Sequence, residues 1–146
     1  MDQGIFYGTY PHRVDPQARV AIPARFRELF RGGIVLIQGY DRCVLIYPLD
    51  QWRLASQPVA ARPMTQARAR LLRRMTFATA HEDTLDRQGR VLLPQGLRRY
   101  AGIEEEVVFA GVGDALELWN RERWAEQEAK MEEQGAQIAE GIEEWR

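Results

Sequence analysis

Val20 and Ile22 face one way and Ala21 the other, and Pro23 follows. This alternation predicts a short strand that stops at a residue unable to donate to a ladder. Pro23 is then placed to open a helix at its first position. Phe26, Leu29 and Phe30 give that helix one apolar face, and Gly32-Gly33 ends it. Ile34 to Gln38 is a near-continuous apolar run and predicts a buried strand. Gly39 to Arg42 is a turn, Cys43 to Tyr47 the returning strand of a hairpin, and Leu49 to Ala55 a short helix after Pro48.

The same order recurs further along. Asp15-Pro16-Gln17-Ala18-Arg19-Val20-Ala21-Ile22-Pro23 aligns with Asp86-Arg87-Gln88-Gly89-Arg90-Val91-Leu92-Leu93-Pro94 at an offset of 71. Phe26-Arg27 then falls on Leu97-Arg98. One inserted residue later, Val35 to Gly39 falls on Val107 to Gly111, and Leu49 to Trp52 on Arg121 to Trp124. The second copy therefore predicts strand 91–93, helix 95–101, strands 107–110 and 115–119, and a helix from Arg121. The expected division is 1–54 for the first unit, 55–78 for a linker and helix, 79–125 for the second unit, and 126–146 for a tail. A unit of about 45 residues is too small for a sufficient core of its own. The two are expected to share one pseudo-twofold core.

Ser56 to Pro63 is rich in Ala and Pro and is expected to be a linker. A helix over 65–80 follows, with Ala67, Leu71, Leu72, Met75 and Ala78 as its apolar stripe and Arg70, Arg73 and Arg74 off it. That Arg face either touches phosphates, stays solvated or pairs with acids of a neighbouring chain. In the tail, Trp124, Met131, Ile138, Ile142 and Trp145 make a sparse helical stripe that Gly135 and Gly141 weaken.

Charge sharpens this division. The net charge is −1, but residues 1–100 hold 16 basic and 8 acidic residues, and residues 101–146 hold 4 and 13. Nineteen of the 20 basic residues are Arg. Such segregation points to a polyanion partner for one part of the chain, or to an Arg-biased ordinary surface. Scarcity excludes other chemistry. One Lys, Lys130, lies among acids, so no phosphate-binding GxxxxGK[ST] loop exists. Ser56 and the single Cys43 lack the local setting of a nucleophile, and an intrachain disulfide is impossible. His12 and His81, with Asp83 and Asp86, lack metal-ligand spacing, so no metal and no cofactor are expected. No apolar run reaches the roughly 18 residues of a membrane span, and no secretory signal is visible at Met1 to Gly4.

The candidate chemistry is the twin Asp-x-x-x-Arg, Asp15/Arg19 and Asp86/Arg90. An Asp at a turn accepts backbone N–H bonds two or so residues on. Gly89 permits a left-handed backbone before Arg90. A forked guanidinium suits phosphate oxygens or the O6 and N7 of guanine. The competing reading is that each Asp simply braces its own Arg. Both can hold, with Asp15, Asp86 and Gly89 setting the loops while Arg19 and Arg90 face outward. Arg13 and Arg87 lie beside them and are counted with the same candidate binding set.

These two motifs, each followed by Val-x-hydrophobic-Pro, together with Tyr47-Pro48-Leu49, Trp52, Ala101-Gly102 and Leu116-Glu117-Leu118-Trp119, resemble the MraZ family of bacterial transcriptional regulators over about residues 4–125. The resemblance implies a mixed α/β, mainly β fold: two tandem AbrB-like (SpoVT-AbrB) units of βαββ type in a swapped-hairpin double-psi β-barrel with peripheral helices. It implies binding to double-stranded DNA at promoter repeats, G-rich sequence among them, and self-association into a ring-like homo-oligomer. It implies repression of the chain's own division and cell-wall gene cluster, in the cytoplasm at the nucleoid. Neither an enzyme nor a membrane or small-molecule partner is expected. The alternatives are an oligomeric scaffold whose basic faces bind acidic tails, and an antitoxin-type AbrB-like protein. One departure from the family pattern is Ala18, where Gly is the rule. If the loop needs positive φ there, Ala18 strains it by about 1 kcal/mol. That is small beside an Arg–guanine pair of about 1–3 kcal/mol, so both loops are expected to contribute comparably.

Overall fold

The computed structural model describes residues 5–142. Its strands are β1 (Thr9–Arg13), β2 (Arg19–Ala21), β3 (Ile34–Gln38), β4 (Val44–Pro48), β5 (His81–Asp83), β6 (Arg90–Leu92), β7 (Glu106–Gly111) and β8 (Leu116–Asn120). Its α-helices are α1 (Leu49–Ala60), α2 (Ala67–Arg73), α3 (Gln95–Ala101) and α4 (Arg121–Glu140). Tight 3-10 turns span Ala24–Phe30 and Tyr40–Arg42.

The two hairpins, β3–β4 and β7–β8, are joined through β4 and β8, and each captures a strand of the other unit at its outer edge. β1 pairs with β7, and β5 with β3, giving one six-stranded antiparallel sheet in the order β1-β7-β8-β4-β3-β5. β2 and β6 form a separate antiparallel pair, Val20 opposite Val91. The architecture is mixed α/β with a large antiparallel sheet, and its hydrogen-bonded ladders do not close into a barrel. Val20 and Ile22 of one unit and Val91 and Leu93 of the other are all buried in one cluster with Phe30, Ile46, Phe109 and Leu118. Apolar burial of this kind is the main favourable term in folding. Here each unit supplies half of the surface that the other covers.

Several expectations need correction. α1 runs through Ser56 and Pro58 to Ala60, where a linker was expected. Pro58 sits near the C-terminal end, so its missing N–H removes a single interior bond while tertiary packing holds the turn. The 65–80 helix is α2 followed by a π-helical turn, Arg74–Ala78. α4 continues through Gly135, whose helix-interior penalty of about 1 kcal/mol does not break it. Trp145 lies outside the described residues. β1 and β5 were not anticipated. β1 carries Pro11 and alternates only between exposed and half-buried positions, and β5 is exposed at all three. Both are edge strands, which show little apolar pattern because one flank is open.

Candidate nucleic-acid interface

Each Asp-x-x-x-Arg segment is a closed loop entering β2 or β6. Asp15 Oδ1 accepts the N–H groups of Gln17 and Arg19, both at 2.9 Å. Asp86 Oδ1 accepts those of Gln88 and Arg90 at the same distances. The backbones close alike: Ala18 N–H donates to Asp15 O and Gly89 N–H to Asp86 O, both at 3.0 Å. These bonds favour the charged carboxylate, so both acids sit below the usual Asp range. The Arg19 N–H is the largest lowering influence on Asp15, and the Arg90 N–H on Asp86.

The loops also hold each other. Leu93 N–H donates to Ala18 O at 2.7 Å, and Ile22 N–H to Gly89 O at 2.9 Å. With Arg19 opposite Leu92 and Arg90 opposite Ala21 in the β2–β6 register, the two Arg residues leave adjacent strands of one small ladder. Ala18 does take the left-handed backbone, φ 63°, beside φ 74° at Gly89.

The guanidinium groups part company. Arg90 Nε donates to Asp86 Oδ2 at 3.0 Å and its Nη1 reaches across to Asp15 Oδ2 at 3.1 Å. Arg90 thus ties both aspartates together. Arg19 has no carboxylate oxygen within 4.0 Å among the described residues. Arg87 is exposed and likewise has no ion pair among the described residues. Arg13 is exposed but engaged, its Nη2 donating to Glu105 Oε2 at 2.7 Å.

Sequence reasoning did not give Arg27 a role, although the repeat matched it with Arg98. Arg27 Nε donates to Ile22 O at 2.9 Å, and its side chain lies against Gly89 so closely that a Cβ there would run into Nε. Arg98 does otherwise, donating to Ile103 O at 3.0 Å and Glu104 O at 2.8 Å. Ala18, with a Cβ where Gly89 has none, removes the space that Arg27 uses at the other loop. Burial, and secondarily the Arg27 charge, hold His12 below the ordinary histidine pKa. Arg25 lies over the Tyr7 ring, 5.0 Å from its centroid, and was also not anticipated. No helix among the described residues is long and apolar enough to cross a membrane.

Residues 5–75 and 76–141 each match the family described as "MraZ protein, putative antitoxin-like". The two matches restate the internal repeat. A protein named "Transcriptional regulator MraZ" from Thermomicrobium roseum is 45% identical over 138 residues, 94% of this chain and 97% of that one. One of the same name from Herpetosiphon aurantiacus is 45% identical over 120 residues, 82% and 84% of the two chains. A third, from Desulfitobacterium hafniense strain Y51, is 38% identical over 138 residues, 94% and 96%. On the doubled match and on relatives that align along nearly their whole length, the chain belongs to the MraZ family.

Proposed function

We propose that the chain is a sequence-specific DNA-binding transcriptional regulator that acts as an oligomer and is not an enzyme. The observation that carries this reading is the pair of Asp-braced loops, locked side by side, in which the half-buried Arg19 has no ion pair among the described residues. The relatives' shared name supports the regulatory part. Arg19 offers both a charge and an unoccupied fork, the equipment for a guanine edge or a phosphate. Arg90 already donates from Nε and Nη1 to the aspartates, which leaves it fewer free donors for a phosphate than Arg19 has. Arg87 adds a charge at the same end, and Arg13 contributes less because Glu105 neutralises it. One chain presents a small basic face, so useful affinity comes from several chains on repeated promoter sites, double-stranded and G-rich. A ring-like homo-oligomer, cytoplasmic and nucleoid-associated, that represses its own division and cell-wall gene cluster fits this arrangement. The β2–β6 pair packed with the six-stranded sheet on one core is what a swapped-hairpin double-psi barrel would be built from.

The family description favours a second reading, an antitoxin-type protein that covers a toxin. The fused double unit weighs against it. A mobility-shift titration against the region upstream of the chain's own operon, at two salt concentrations, tests the main reading. The expected result is retention of that DNA over scrambled DNA, with affinity falling as salt rises. Equal affinity for both DNAs would overturn sequence specificity.

A further inference from the structure

The two loops are flanked by different charges. β1 runs into the first loop, and the entrance there is acidic. Val14 N–H donates to Glu105 O at 2.8 Å, and Asp15 N–H, the next along, donates to Arg19 O at 2.8 Å. Glu105 and Arg19 therefore flank two successive residues, each at the roughly 5 Å spacing of hydrogen-bonded backbone. Glu105 is the middle of three glutamates in a row, Glu104 to Glu106. The second loop has no such flank. There the repeat places Thr84 where Arg13 stands, and Gly32-Gly33 where Glu104-Glu105 stand. One copy of the unit folds without these charges, so the fold does not require them.

The three acids are engaged unequally. Arg13 Nη2 donates to Glu105 Oε2 at 2.7 Å, and the two side chains are 66% and 70% exposed. Glu106 Oε1 accepts from Arg121 Nη1 at 2.7 Å and stands 4.0 Å from Arg13 Nη1. Glu104 has no ion pair among the described residues. A cleft of about 640 Å³ opens beside them, with Arg13, Arg98, Glu104, Glu105, Glu106 and Glu122 in its wall. Arg98 turns its donors to the carbonyls of Ile103 and Glu104, so Arg13 is the cation that answers Glu105. An ion pair this exposed adds little to stability. It does lie close enough to the first loop to act on the same DNA, since charges in physiological salt are felt over about 8 Å.

We infer that Glu105 withholds Arg13 from DNA, so that the chain carries one phosphate-binding arginine in reserve. A phosphate that approaches Arg13 has to displace Glu105 and pass the unpaired Glu104, and the parent gains little from the contact. Phosphate contacts carry no sequence information of their own, and they supply essentially all of non-specific binding. Holding one back loosens the protein on every duplex and leaves more of its affinity to base contacts. Glu105 acts through Arg13 and is a positioning residue. The inference rests on the DNA binding by the loops proposed above and adds to it the residue that limits its strength.

A double-mutant cycle in the full chain tests it. The parent, Arg13→Ala, Glu105→Gln and the double variant are titrated by fluorescence anisotropy, with a duplex from the region upstream of the chain's own operon and with a scrambled duplex. Gln keeps the shape of Glu at an exposed position, so melting temperature and oligomeric mass should match the parent's. Glu105→Gln should bind both duplexes about 10-fold tighter in 50 mM salt and about 3-fold tighter in 200 mM, the salt dependence of one added phosphate contact. Arg13→Ala should weaken binding by a larger factor in the Glu105→Gln background than in the parent. Parental or weaker affinity in a folded Glu105→Gln protein overturns the inference. So does an equal loss from Arg13→Ala in both backgrounds, which would leave Glu105 as a plain repeller of phosphate. A gain confined to the upstream duplex overturns it as well, because it would assign Arg13 to a base edge. If the parent holds both duplexes equally and the cycle still behaves as expected, sequence specificity falls and the reserve contact stands. A parent and a Glu105→Gln protein that retain neither duplex overturn both readings.

Discussion

Arg19 and Arg90 occupy equivalent places in two loops whose backbone bonds agree to within about 0.1 Å, yet one guanidinium is clamped between two aspartates and the other pairs with none among the described residues. The sequences of the loops differ at Pro16 against Arg87 and at the residue before the arginine, Ala18 against Gly89, and Ala18 and Gly89 both take positive φ. The alanine therefore does not change the loop's path. It changes what can lie against the loop, since Arg27 uses the space over Gly89 and Arg98 is turned away to Ile103 and Glu104. A repeated motif can keep its backbone and still place its arginines differently, one bridging two aspartates and the other, equally half-buried, without an ion pair among the described residues.

The comparison can be broken first at Gly89. Gly89→Ala adds left-handed strain of about 1–2 kcal/mol and displaces Arg27 from Ile22 O, about 1 kcal/mol more. Chemical denaturation should show roughly 2–3 kcal/mol of lost stability, and a loss under 0.5 kcal/mol would mean that the loop needs no glycine. Ala18→Gly runs the other way. Relief of strain should raise stability by about 1 kcal/mol, read as a higher denaturation midpoint with unchanged m-value. A third contrast is between the arginines. Arg90→Ala removes the bridge between the loops and should lower the melting temperature by roughly 1–2 °C, whereas Arg19→Ala should leave it in place. Equal shifts would erase the distinction. Acid gives the smallest effect. The folded pKa values of Asp15 and Asp86 lie below the ordinary 3.8. Their contribution is therefore present above the unfolded value and is lost as pH falls through the folded one. Parent and Arg90→Ala should converge in melting temperature as acidification proceeds below the ordinary carboxylate range, and a gap that does not narrow as both carboxyls protonate would contradict the carboxylate clamp.

Much of this was readable from the chain. The repeat located both loops, the hairpins and the shared core, because the apolar runs Ile34 to Gln38 and Val107 to Ala110 are buried on both faces and carry their signal in composition alone. β1 and β5 were invisible for the converse reason: a strand such as His81-Glu82-Asp83, exposed throughout, is held by backbone bonds to β3 that leave no mark on residue type. α1 beyond Ala55 was hidden by Pro58, a local signal that packing against α2 overrides. At the site, the four motif residues were legible, and so was the possible strain at Ala18. The unequal fate of Arg19 and Arg90 was not, because it depends on Asp15 and Asp86 meeting across β2–β6. Both motifs carry the same Asp and Arg whether or not the arginine crosses between them.

The central claim is that Arg19 contacts DNA while Arg90 positions the loops. It is tested most directly by fluorescence anisotropy with operator DNA for the parent, Arg19→Ala and Arg90→Ala, each at two salt concentrations, with oligomeric mass verified. Arg19→Ala should weaken binding by about 10- to 100-fold per contact, flatten the salt dependence and keep the parental mass and melting temperature. Arg90→Ala should weaken binding several-fold less and chiefly through the loosened loop, so that its loss shrinks on cooling. Parental affinity in a folded, assembled Arg19→Ala protein, or a greater loss in Arg90→Ala than in Arg19→Ala, would contradict the account.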